Sequence, residues 1–168
     1  MSTTTMSHTH SATMVKMVLD AWNMQNNRFE KLIGELSDEQ LSAHVAPGRN
    51  SGTYIFGHLA AVNDRLLETM GWGSRLHTEL DQPYLLNPDN NDHPKASVAE
   101  LRSCWNEINA EINKHIATMQ TEDWFTRHMS VSEEDFAKEP HRNRLNLLMS
   151  RAIHLSNHLG QMIFLMPK

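Results

Sequence analysis

Cysteine is nearly absent. Cys104 stands alone in 168 residues, which excludes an intrachain disulfide and any Cys-based zinc cluster and suits a reducing, cytoplasmic setting. A basic excess is missing as well: 15 Lys and Arg against 20 Asp and Glu leave a formal charge of -5. The electrostatic footprint that nucleic acid requires is therefore not there, nor is a polybasic membrane patch. No apolar run approaches the roughly 18–20 residues of a membrane span. The opening segment 1–12, rich in Ser, Thr and Met with His8 and His10, is too polar for a secretory signal and too poor in Arg for a transit peptide. It is expected to be a disordered tail ahead of a single domain over 13–168, a size at which about 70% of the unfolded surface is buried. Glycine and proline are scarce, at seven and six. Sustained period-two alternation does not occur, so helices are expected and a central sheet is not.

What is present is a set of four apolar stripes at helical spacing. Val15, Leu19, Trp22, Phe29, Ile33 and Leu36 form the first. Ile55, Leu59, Val62, Leu66 and Met70 form the second, closed by Gly71. The third, Val98, Leu101, Trp105, Ile108, Ile112 and Ile116, follows a capping Ser97. The fourth is Leu148, Ala152, Leu155, Leu159, Met162 and Met166. These predict helices near 13–36, 52–70, 97–119 and 143–166, an all-α four-helix bundle with long connections after the second and third helices. A short turn of helix is expected at Ser37-Asp38-Glu39-Gln40. The methionines Met14, Met17, Met162 and Met166 fall at positions expected in the core.

Eleven histidines in so short a chain raise the question of a metal. On the fourth helix, His154 and His158 lie four residues apart, so about 40° apart around the axis and one turn along it, on one face beside the core seam. Imidazoles buried there without partners would cost on the order of 1–3 kcal/mol each, and a metal ion satisfies both. A third ligand is expected from His58, in Gly57-His58-Leu59-Ala60, where small residues permit close approach of a neighbour. Three neutral imidazoles hold a divalent ion and leave a position open, the pattern of catalytic sites, and nitrogen donors suit zinc or nickel. Arg65 and Arg151 lie near these stripes as candidates to orient an anionic substrate, and Gln161 is a candidate partner for an imidazole N–H. The other histidines, among them His77, His93, His115 and His128, are expected at the surface. Cys104 is read as a small packing residue.

The run from Pro47-Gly48 through Ser51 to Gly57-His58-Leu59-Ala60, with His154-xxx-His158-Leu159-Gly160-Gln161 on the last helix, resembles the DinB-like superfamily, which includes the YfiT-like proteins. The likeness spans about Met14 to Met166. It implies a bundle that is often dimeric, with a divalent metal at the positions of His58, His154 and His158. Two departures stand out: Leu159 occupies a position where relatives often carry Arg, and Asn50 precedes Ser51 where a Trp is common.

Three functions follow as expectations. The first is a metal-dependent transferase that activates a low-molecular-weight thiol, with a small-molecule substrate and no general base. The second is a metal-dependent hydrolase, for which Asp64 is the carboxylate nearest His58 in sequence but points away from it. The third is a non-catalytic, stress-related metal-binding bundle. A homodimer is the expected assembly, and no individual catalytic residue is assigned.

Overall fold

A computed structural model describes residues 3–167, with side chains from residue 9 onward. Among the described residues there are six α-helices: α1 (Thr3–Glu35), α2 (Asp38–Ser42), α3 (Gly52–Thr69), α4 (Val98–Thr118), α5 (Glu133–Lys138) and α6 (Arg144–Met162). Among the described residues there is no strand. Two isolated bridges join His44 with Ser51 and Arg127 with Asn143. The four long helices match the four stripes. α1 packs on α6 and α3 on α4, and Phe29, Phe56 and Trp105 interlock where α1, α3 and α4 meet, with ring centroids 4.6–6.1 Å apart.

Each boundary has a local cause. Ser51 Oγ accepts from Tyr54 N to start α3, and Asn143 Oδ1 accepts from Asn146 N to start α6. Ser37 with Gln40, and Ser97 with Glu100, form reciprocal capping boxes at α2 and α4. α3 ends in a Schellman turn: Gly71, at φ 73°, donates to Glu68 O, and Trp72 N donates to Leu67 O. Only glycine takes that left-handed conformation without strain.

Two expectations change. The helix extends back to Thr3, through most of the segment read as a tail: that segment holds no Gly or Pro to break it, and the Thr13 hydroxyl bonds back to Thr9 O. Met1, Ser2 and the side chain of His8 lie outside the described residues. Met14 and Met17 are more than half exposed, because the buried stripe of α1 narrows to Val15 and Trp22 and leaves them on its flank. Met162 is buried as expected.

The long connection from α3 to α4 is anchored by a buried carboxylate. Asp64, fully buried, accepts from Arg75 Nε (3.0 Å), Leu76 N (2.7 Å) and His77 N (3.2 Å). The other guanidinium nitrogens of Arg75 reach both oxygens of Asp81 at 2.7 and 2.6 Å. Thus tethered, the connection folds into a 3-10 turn (Thr78–Leu80) and a π turn (Gln82–Leu86), and the second lays Tyr84 against α3.

Candidate metal centre

Gly57 explains how close Tyr84 comes. A Cβ at Gly57 would lie 2.5 Å from the Tyr84 ring, so the glycine is what admits the ring and brings the Tyr84 carbonyl within 3.0 Å of His58 Nδ1. The small residue foreseen for helix approach serves a loop instead. A carbonyl only accepts, so Nδ1 of His58 carries the hydrogen and Nε2 a lone pair. On α6, His158 Nδ1 donates to Gln161 Oε1 at 2.9 Å, which fixes the same tautomer there with the amide oxygen facing the ring.

Both Nε2 atoms turn toward His154. His58 Nε2 lies 3.2 Å and His158 Nε2 3.1 Å from His154 Nε2, and all three donor atoms fall within 4.8 Å of one another. A neutral His154 has one hydrogen at most to offer two lone pairs, whereas one cation satisfies all three. An ion about 2.0–2.1 Å from each nitrogen in a tetrahedral arrangement sets them roughly 3.3 Å apart. The donor set and its spacing fit a divalent metal ion.

Electrostatics favour the neutral, ligating forms. Burial lowers the pKa of His154 to about 4, helped by His158, His58 and Arg151. Burial also lowers His58, against the opposing pull of its Tyr84 hydrogen bond, and lowers His158 against that of Gln161. Arg151 is itself half-buried, with an Nε that has no partner and an Nη2 bonded to Ser150 Oγ at 3.3 Å.

A cleft of about 580 Å³ opens beside the histidines, lined by His158, Gln161, Ile55, Arg49, Asn50 and Phe164. Phe164 is 75% exposed.

The structure brings His58, His154, His158, Gln161 and Arg151 together and leaves Arg65 out. Arg65 bonds Asp81 at 2.8 Å. Seven residues beyond His58 it shares a face but lies about 10 Å further along the axis. Asp64 is likewise committed to Arg75 and two backbone N–H groups. The Tyr84 carbonyl went unforeseen because a backbone acceptor in an irregular connection leaves no mark on side-chain periodicity.

Of the other histidines, His115 stacks on Trp72 at 5.5 Å and pairs with Glu111 at 3.1 Å. His77, expected at the surface, is only 15% exposed in its side chain and packs against Cys104. Burial, then the nearby Glu79 and Glu107, push the Cys104 thiol up, so it is no activated nucleophile.

A model of the DinB superfamily matches residues 21–162. The chain belongs to that superfamily. No curated protein matches it. Among solved structures, the crystal structure of a conserved protein from Enterococcus faecalis is similar at a TM-score of 0.62 and 15% identity, covering 89% of this chain and 93% of that one. At that identity the likeness speaks for the fold. The DinB bundle seen here carries residue groups able to hold a metal, and among the described residues no helix is long and apolar enough to cross a membrane.

Proposed function

We propose that this DinB-superfamily protein is a divalent-metal-dependent transferase that activates a low-molecular-weight thiol at His58, His154 and His158, with zinc or nickel as the resident ion. The carrying observation is the convergence of three Nε2 atoms, two of them locked as lone-pair donors by Tyr84 O and Gln161 Oε1. An ion held there supplies a Lewis-acidic centre that lowers the pKa of a coordinated thiol.

The chain's own residues do the rest. Tyr84 and Gln161 keep the ligands in one tautomer and orientation. Arg151, whose charge bears on His58 and His154, opposes added positive charge at the centre and favours an anionic sulfur. Tyr54 stacks nearly parallel to His58 at 6.5 Å and walls the site, while Arg49 and Phe164 give the cleft a cationic and an apolar contact for the substrate. The thiol's proton passes to solvent, and the sulfur forms its bond to the electrophile as the bond to the leaving group breaks and that group takes a proton from solvent, so no protein base is required. Hydrolysis is the weaker reading, because the carboxylate that would serve it, Asp64, is committed elsewhere. We further propose a cytoplasmic homodimer, a compartment in which free thiols persist.

The test is elemental analysis of the purified protein and its variants, followed by thiol titration of the loaded form. His154→Ala is expected to lower metal content sharply and to abolish thiol binding, with His115→Ala and His128→Ala unchanged. Equal metal content in His154→Ala and the parent would remove the basis of the reading.

A further inference from the structure

The connection from α3 to α4 and the exposed edge of α4 enclose a second cleft, of about 520 Å³, whose donors take no part in the centre on α6. His77, Glu79 and Cys104 place ligand atoms within 4.8 Å of one another. Nδ1 of His77 lies 3.0 Å from Glu79 Oε1 and 3.5 Å from Cys104 Sγ. On the opposite edge of the ring, Nε2 lies 3.2 Å from Glu107 Oε2. A neutral imidazole has one N–H and cannot donate to both carboxylates. With the hydrogen on Nε2 and held by Glu107, Nδ1 turns a lone pair toward Glu79 and Cys104, and three donors face one point. This is the carboxylate–histidine arrangement that orients a ligating imidazole.

Spacing agrees with that reading. A tetrahedral ion with nitrogen or oxygen at about 2.0–2.1 Å and sulfur at about 2.3 Å sets nitrogen and sulfur roughly 3.5 Å apart and nitrogen and oxygen roughly 3.3 Å apart. The group is also held in place. The buried Asp64 carboxylate receives the backbone N–H groups of Leu76 and His77, Ser103 Oγ donates to Glu107 Oε1 at 2.8 Å, and Cys104 is anchored on α4 at 9% exposure. One cysteine cannot build a cysteine cluster, but it can supply one donor of a mixed set. A thiolate, an imidazole and a carboxylate together select a borderline-soft ion over magnesium or calcium.

We propose that His77, Glu79 and Cys104 form a second metal site, separate from His58, His154 and His158, that takes one divalent ion of the zinc class. Glu107 holds the imidazole from behind, and Pro83 and Ala96 line the same cleft. On binding, the Cys104 S–H bond breaks, its proton passes to solvent and a sulfur–metal bond forms.

Cobalt(II) added to the metal-free full-length protein tests this. A cobalt–thiolate bond gives an intense near-ultraviolet charge-transfer band that imidazole does not give, and Cys104 is the only cysteine, so the band reports this site alone. The expected result is a band that saturates at one equivalent while total uptake reaches two, and that zinc abolishes. Cys104→Ser and His77→Ala are expected to remove the band and one equivalent of uptake, while His158→Ala keeps the band. Glu79→Gln, at an exposed side chain, is expected to weaken cobalt binding at least tenfold with an unchanged melting temperature. No band in folded parent protein at saturating cobalt would overturn the proposal. So would a band of parental intensity in His77→Ala, which would mark adventitious thiol binding only. Either failure leaves the three-histidine reading standing, because that site is scored by uptake alone.

Discussion

The backbone carbonyl of Tyr84 accepts a hydrogen bond from Nδ1 of His58 at 3.0 Å, so a residue in an irregular connection decides which nitrogen of a helical histidine faces His154. The consequence is testable at a position that touches no donor atom.

Gly57→Ala puts a methyl group into the Tyr84 ring. Overpacking of this kind costs about 1–3 kcal/mol, and moving the ring takes the carbonyl off His58. Loss of such a partner lowers metal affinity about 10–100-fold. Competition against a chromophoric chelator measures it. Parental affinity in Gly57→Ala would show that the Tyr84 contact does not orient the ligand.

The pH response follows from the lowered pKa values of the three histidines. An unfolded histidine takes up a proton near pH 6.5, whereas folded His154 does so only near 4. Between those values the unfolded chain binds more protons, so the metal-free fold is fully stable above about pH 6.5 and loses stability as pH falls toward 4. Because each ligand must be neutral, metal binding weakens as pH falls toward and below the free imidazole value of about 6.5, and the lowered pKa values of the three histidines move that loss to lower pH. Urea midpoints at pH 7, 6 and 5 should fall in that order, and His154→Ala should flatten the decline. A parent midpoint that rose on acidification would contradict the assignment.

Asp64→Ala removes one of the two carboxylates that hold a guanidinium only 10% exposed, leaves it Asp81, and strands two backbone N–H groups. Each buried donor left without an acceptor costs about 1–3 kcal/mol. Chemical denaturation should show that loss, with Asp64→Asn falling between Asp64→Ala and the parent. A loss under about 1 kcal/mol would mean that the pair does not anchor the connection.

Light scattering should return twice the 19.3 kDa chain mass at micromolar concentration, the two-fold pairing commonest among such proteins. A mass of about 19 kDa would refute the dimer.

The four long helices were legible because each carries an apolar stripe at helical spacing, and Ser97 marks the start of the third. His154 and His158 were legible for the same reason: a fixed four-residue step sets their relative direction. His58 was reached through its small neighbours and through family likeness. Arg65 went astray because periodicity reports which face a residue occupies and not how far along the axis its partner lies. His77 and Cys104 are 27 residues apart, joined by a connection whose path Asp64 and Arg75 determine. No local pattern encodes a meeting of that kind. Met14 and Met17 show the converse: an apolar residue beside a stripe need not belong to it, and both are more than half exposed.

His58 and His154 are separated by 96 residues, whereas His154 and His158 are neighbours on one turn. The pair on α6 forms wherever that helix forms, but the third donor arrives only when the two halves of the chain have met. A metal ion held by all three is therefore a reversible cross-link around a loop of more than half the sequence. An ion that binds the folded chain and not the unfolded one stabilises it by mass action, the more so the further its concentration exceeds its dissociation constant. The three-point grip exists only in the native state, so it resists opening far more than it hastens collapse. The loaded protein should differ from the empty one chiefly in how slowly it unfolds.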